Sequence, residues 1–131
     1  MREILFRGKD IDSGLWCYGD MTHDREGNPY IRFWAHNGYL VRGVEPETVG
    51  QFTGFTDKNN KRIFEGDILG SRYDEVDPDT VSREVVLWDG NGWHIKWRNA
   101  TPDRIWQDDL DAYSEVIGNI YDNPDLVEVG K

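Results

Sequence analysis

The sequence predicts a mainly β protein, in which an N-terminal β-hairpin lobe (residues 1–62) packs on a C-terminal SH3-like small β-barrel (residues 63–131) with one short helix. Apolar runs are short and are separated by turn residues. The 14 glycines and 5 prolines are scattered, which suits short strands joined by tight turns. Six Trp, six Tyr and five Phe can close a small core although only 37% of residues are hydrophobic.

Three hairpins are predicted in the N-terminal lobe. Residues 4–6 and 15–19 form the first, with the turn-forming residues 10–14 between them. Residues 29–34 and 39–41 form the second around Asn37-Gly38, a dipeptide that tolerates positive φ. Residues 51–55 and 62–64 form the third, across a polar turn. A meander of this kind does not bury both faces alone, so we expect it to pack on the barrel or on another subunit.

The C-terminal part holds about five predicted strands, with the helix before the last one. A new strand starts after Gly66-Asp67, residues 81–88 follow, and residues 93–98 alternate with Trp93, Ile95 and Trp97 on one face. Thr101-Pro102-Asp103 predicts a helix start, because Thr caps, Pro suits the first turn and Asp complements the helix dipole. Residues 114–120 are the last strand, and a final helical turn follows Asn123.

Several blocks of sequence resemble the YopX family of phage and prophage proteins, in the order that the family has them. They are Arg2-Glu3-Ile4, Phe6-Arg7-Gly8, Tyr18-Gly19, residues 46–54, Asp57-Lys58-Asn59, residues 63–68 and residues 115–124. Asn60 stands where the family more often has Gly, Phe55 stands where Leu is common, and residues 71–112 match only in pattern. The resemblance implies a small, mostly β protein of a temperate phage of Gram-positive hosts. The family has no established biochemical activity, so no catalytic residue is carried over.

The same blocks have a structural interpretation. Gly50, Gly54, Gly66 and Gly118 are expected where φ is positive or where a side chain would clash. Asp67 follows a turn at which its carboxylate can bond neighbouring backbone N–H groups. The blocks therefore predict residues that shape turns and packing rather than residues that catalyse a reaction.

No metal or cofactor is predicted. The single cysteine, Cys17, excludes an intrachain disulfide and a cysteine-based zinc site, and it is expected to be a small buried apolar residue. The three histidines lack ligand spacing, and the acidic loop at 74–80 lacks the spacing of a calcium loop. These groups are His23, His36 and His94, and Asp74, Glu75, Asp77 and Asp79.

The formal net charge of −10 argues against nucleic acid and anionic membranes as partners, because phosphate backbones are bound through Lys and Arg. The N-terminus lacks the apolar core of a signal peptide, and no apolar run has the length of a membrane span. We therefore expect a protein of the bacterial host cytoplasm.

The best candidate for a binding surface is the hairpin from Trp88 to Arg98. Its candidate residues are Trp88, Trp93, His94, Lys96 and Trp97. Trp88 and Trp93 flank the turn and could stack across the strands, and aromatic side chains beside basic ones could also stack bases. In the alternative interpretation the Trp face is core and the basic face is ordinary surface.

The sequence predicts a non-enzymatic phage accessory protein that binds another protein, from the host or the phage. In one variant it is a DNA mimic, with the acidic stretches 74–79 and 103–115 in place of phosphates. The alternative is single-stranded nucleic-acid binding through the Trp-rich hairpin. Free strand edges in the N-terminal lobe also predict a homo-oligomer.

Overall fold

The computed structural model describes residues 3–71, 82–97 and 101–128. Antiparallel strands dominate these residues, which confirms the mainly β prediction. The chain forms two compact units, Met1–Phe52 and Thr53–Lys131. The boundary predicted between the two lobes lies later in the chain, after residue 62.

The first unit is an antiparallel sheet with the strand order β4-β3-β2-β1-β5. The strands are β1 (Phe6–Lys9), β2 (Trp16–His23), β3 (Pro29–Ala35), β4 (Gly38–Gly43) and β5 (Gly50–Thr56). A 3₁₀ turn at Pro46–Thr48 precedes β5, whose first residues pair with β1. β4 therefore lies at one edge of this sheet.

The turn between β3 and β4 lies one residue earlier than the sequence predicts. Ala35 stands opposite Gly38, so His36 and Asn37 form the loop and Gly38 already belongs to β4. His36 has a φ of 56°. Histidine is one of the residues that occupy this left-handed region more readily than most. Because Ala35 pairs with Gly38, the central pair of the turn is His36-Asn37 and not Asn37-Gly38.

Few apolar side chains are fully buried in the first unit. Ile31 and Val44 are fully buried, and Phe52 is 7% exposed. Gly8 lies so close to Val44 that a Cβ there would approach the Val44 Cβ to 2.9 Å. This close approach brings β1 against Val44, but the edge strand β4 remains largely exposed.

The second unit contains a five-stranded antiparallel sheet with the order β10-β9-β8-β7-β11. Its elements are β6 (Arg62–Phe64), β7 (Asp67–Ser71), β8 (Ser82–Trp88), β9 (Trp93–Lys96), β10 (Asp103–Arg104), α1 (Gln107–Tyr113), β11 (Ser114–Asn119) and α2 (Asp125–Glu128). The later residues of β5 also belong to this unit, and β6 is its neighbour, as the third predicted hairpin requires.

The core of the second unit is a cluster of five buried aliphatic side chains. They are Ile63, Leu69, Val86, Ile105 and Leu110, and the side chains of Phe55, Trp93, Ile95 and Val116 pack against them. Full burial of each aliphatic side chain contributes about 1.5–3 kcal/mol relative to its exposure. The sheet and α1 are thus held by one apolar cluster.

The predicted helix start at Thr101-Pro102-Asp103 is wrong. Asp103 and Arg104 form β10 and pair with Ile95 and His94 of β9, and α1 begins only at Gln107. The Gln107 side chain donates to the Thr56 carbonyl at 2.8 Å and accepts the Thr56 N–H at 3.2 Å. Pairing with β9 and this anchor therefore override the local capping signal.

The closed SH3-like barrel is not confirmed. Among the strands that the structure describes, β10 and β11 stand at opposite ends of the five-stranded sheet, and no pairing joins them. The predicted strand order with a helix before the last strand is present. The described strands form an open sheet.

Candidate binding site

The predicted Trp hairpin forms, and its two flanking tryptophans contact each other. Trp88 of β8 stands directly opposite Trp93 of β9. Their ring centroids are 5.0 Å apart and the ring planes meet at 68°, an edge-to-face arrangement that aromatic pairs favour. Trp88 is 51% exposed, whereas Trp93 packs against the core cluster. The pair therefore links an exposed ring to the core.

The other predicted site residues lie at different places along the hairpin. His94 lies at the turn, with Nδ1 3.0 Å from the Gly92 carbonyl and 3.2 Å from the Asp89 carboxylate. Lys96 stands opposite Val85 at the end of β9. Trp97 follows the strand directly and is 43% exposed. Trp93 therefore packs as the core interpretation expects, whereas Trp88 and Trp97 of the same hairpin are exposed.

Arg98 and the acidic residues at 74–80 lie outside the described residues. Within the described ranges, no three His, Cys, Asp or Glu side chains converge as they would around a metal ion. None of the helices described has both the length and the apolar character that crossing a membrane requires.

Cys17 lines a pocket in the first unit. It is half-buried rather than buried, and burial, followed by the nearby Asp10 charge, raises the pKa of its thiol. The pocket has a volume of about 450 Å³, and Asp10, Phe33 and Arg42 share its lining. Asp10 accepts the Asp12 N–H at 2.9 Å, which holds the pKa of its carboxyl below the usual value, and its other oxygen faces Arg42 Nε at 3.9 Å. We assign this pocket no ligand.

An exposed aromatic surface that the sequence analysis missed lies on the first unit. We define the aromatic face as Tyr18, Arg32, Trp34, Tyr39 and Val41, which lie on β2, β3 and β4. Asp20 stands opposite Arg32, Arg32 opposite Val41, and Trp34 opposite Tyr39. Because side chains alternate along a strand, these positions share one side of the sheet.

The aromatic face is organised around Tyr39. The Trp34 and Tyr39 ring centroids are 5.0 Å apart with an interplanar angle of 82°. The Arg32 guanidinium lies 4.8 Å from the Tyr39 ring centroid, within cation–π range, and also faces Asp20 at 3.4 Å. Trp34 and Tyr39 nevertheless remain 62% and 60% exposed. The contacts orient the rings without covering them.

A model of the YopX protein family matches residues 5–128, nearly the whole chain. The chain belongs to the YopX family. The resemblance of the sequence blocks to this family is thereby confirmed. None of the curated proteins matches the chain.

One solved structure supports the fold of this family member. The structure described as protein EF1440 from Enterococcus faecalis matches with a TM-score of 0.65 and 19% sequence identity. The match covers 97% of this chain and 99% of that one. At this identity the similarity concerns the fold alone.

The blocks that carry the YopX resemblance contain side chains that hold the second unit together. Asp67 Oδ2 accepts the Phe64 N–H at 2.8 Å, and Thr53 donates to the Ile63 carbonyl at 2.8 Å. Gly54 and Gly66 have φ values of 89° and 88°. A Cβ at Gly118 would collide with Asn123. These contacts confirm the structural interpretation for Asp67, Gly54, Gly66 and Gly118.

Proposed function

We propose that this chain is a phage-encoded accessory protein that acts in the host cytoplasm by binding another protein, without catalysing a reaction. The observation that carries the proposal is the aromatic face. Interfaces between proteins are enriched in Tyr, Trp and Arg, and these types supply most hot-spot residues. Exposed apolar patches of this kind mark interaction sites on soluble proteins.

Charge supports a protein partner over nucleic acid. Within residues 1–52, six Lys and Arg face eight Asp and Glu, so the excess acid of the chain lies mainly in residues 53–131. The aromatic face contains one arginine, and Asp20 already faces it at 3.4 Å. Nucleic-acid binding draws on several unneutralised cations. Binding of single strands by the Trp hairpin and DNA mimicry by residues 74–79 and 103–115 stay predictions.

Capture from host lysate followed by titration tests the proposal. Tagged wild-type protein is compared with the double variant Trp34→Thr/Tyr39→Thr, in which Thr keeps a high strand propensity. Trp106→Thr is the matched control, because Trp106 is 59% exposed in the second unit. A captured protein is identified, purified and titrated against all three.

We expect the double variant to bind the identified partner more than tenfold more weakly, since each hot-spot aromatic contributes about 2 kcal/mol or more. The Trp106→Thr control is expected to bind like the wild type. The proposal fails if no partner binds saturably, or if the double variant binds as tightly as the control.

A further inference from the structure

The outer edge of β4 presents a short, uncharged and unprotected stretch of backbone. β4 ends the sheet of the first unit, and Tyr39, Leu40 and Val41 are all exposed. Proteins usually protect such an edge with charged side chains, proline or a bulge. None of these occurs within residues 39–41.

The hydrogen-bond phase of the β3–β4 pair shows which groups point outward. The Val44 N–H donates to the Pro29 carbonyl at 3.2 Å, so these two residues form a hydrogen-bonded pair in the β3–β4 register. Because such pairs alternate along an antiparallel ladder, Leu40 bonds across to Phe33, whereas Tyr39 and Val41 do not bond to β3. The N–H and C=O groups of Tyr39 and Val41 therefore point away from the sheet.

The open stretch is limited on its C-terminal side. The Gly43 carbonyl, which is the next outward acceptor, already accepts the Ile11 N–H at 3.0 Å. In the described ranges, the four outward groups of Tyr39 and Val41 have no backbone partner. These four groups can therefore form hydrogen bonds with another strand that pairs along this edge.

We propose that a second copy of this chain pairs with this edge, antiparallel, with the two-fold axis at Leu40. Tyr39 of each copy then stands opposite Val41 of the other, and each such pair exchanges two N–H to C=O bonds. All four outward groups of each copy are satisfied. An axis at Val41 would instead place Tyr39 opposite Gly43, whose carbonyl is already engaged.

The side chains suit the same register. On the side of the aromatic face, Trp34 and Tyr39 of one copy continue into Val41 and Arg32 of the other in one row across the two paired strands. On the opposite side, the two Leu40 side chains meet at the axis. Arg42 stands opposite Gly38, so no like charges face each other. The inference rests on the proposed function, because the paired copies form one continuous aromatic face for the partner.

Light scattering during size exclusion of the purified protein tests the pairing separately from any partner. We expect wild type at twice the monomer mass, falling to the monomer on dilution. Val41→Pro removes an outward N–H that β3 does not use, so the variant is expected to be a folded monomer. Val41→Thr keeps that N–H and is expected to remain dimeric.

Disulfide trapping tests the register and does not depend on whether Val41→Pro folds. In a Cys17→Ser background, Leu40→Cys places two thiols in a non-hydrogen-bonded pair with Cα atoms about 4.5 Å apart, within disulfide range. We expect rapid interchain cross-linking for Leu40→Cys and little for Val41→Cys.

A wild type that is monomeric at every concentration would overturn the inference, as would cross-linking through Val41→Cys but not Leu40→Cys. A monomer that still captures its partner through Trp34 and Tyr39 would leave the proposed function intact. A dimer that captures no saturable partner would instead refute only that function.

Discussion

The Asp57 carboxylate accepts the Val116 N–H at 2.9 Å, across 59 residues of chain. Its other oxygen accepts the N–H groups of Asn59 and Lys61, each also at 2.9 Å. Asp57 is only 3% exposed. One buried side chain therefore both shapes the turn between β5 and β6 and connects that turn to β11. These hydrogen bonds give the acid at this position a structural role.

Replacing Asp57 is expected to destabilise the fold strongly. Asp57→Ala removes three part-buried hydrogen bonds to a carboxylate, and a hydrogen bond to a charged group contributes about 1.5–3 kcal/mol. We expect a loss of at least about 3 kcal/mol in the free energy of unfolding, measured by urea denaturation. Asp57→Asn retains one acceptor oxygen, so a smaller loss is expected.

Lys58→Ala is the matched control for Asp57→Ala. The Lys58 ammonium lies 4.0 Å from Glu115 in an exposed pair, which contributes little. We expect a change within about 0.5 kcal/mol. Equal unfolding free energies for Asp57→Ala and Lys58→Ala would contradict the assigned role of Asp57.

Gly66 is expected to tolerate alanine less well than Gly54. Both residues have positive φ, which costs a side-chain-bearing residue about 1–2 kcal/mol. A Cβ at Gly54 meets open space, whereas a Cβ at Gly66 would lie 2.9 Å from Tyr121 Cε2. Gly54→Ala therefore measures the cost of the backbone conformation alone.

Thermal and urea unfolding of the two glycine variants should show a larger loss for Gly66→Ala. The extra loss reports the crowding against Tyr121. If Gly54→Ala proves as destabilising as Gly66→Ala, the approach of Tyr121 does not constrain this junction.

The sequence predicted the features that depend on local backbone chemistry. The hairpins and the need for glycine at Gly54 and Gly66 follow from turn preferences, and Asn60 has the positive φ, 63°, that its place in the turn implies. The short strand β10 was missed because its pairing with β9 is a tertiary effect that competes with an explicit capping signal at Thr101.

The aromatic face was missed for a different reason. Along β3, Ile31 and Phe33 alternate with Arg32 and Trp34, so both sides of the strand carry large side chains. Alternation then does not separate the buried side from the exposed side. Trp34 becomes a candidate only once its exposure and its contact with Tyr39 are known.

Acidification is expected to weaken the turn between β2 and β3 through Asp24. The Asn28 side chain and backbone donate to its carboxylate at 3.0 and 2.9 Å, and these bonds, with that of the Glu26 N–H, hold the pKa of Asp24 below its ordinary value. A carboxyl whose pKa is lower in the folded protein stabilises it above the unfolded pKa, about 3.9. That contribution is lost as the pH falls through the folded pKa.

Unfolding of wild type and Asp24→Asn between neutral and acidic pH measures this contribution. We expect wild type to be the more stable by a constant margin above about pH 5, and the margin to shrink as the pH falls further. A margin that does not change with pH would mean that the Asp24 charge does not contribute to the turn.

Substitution of Trp93 is expected to destabilise the fold much more than substitution of Trp88, although the two rings are in contact. Trp93 packs against the core cluster, so Trp93→Ala should cost about 3 kcal/mol in unfolding free energy. Trp88 is largely exposed, and Trp88→Ala should cost only the pair contact, about 1 kcal/mol. Trp88→Ala can therefore test binding without unfolding the protein.

Titration of a single-stranded oligonucleotide at low salt is expected to show no binding by wild type. Binding that weakens with salt and on Trp88→Ala would instead favour the nucleic-acid alternative, because a stacking platform needs an exposed ring.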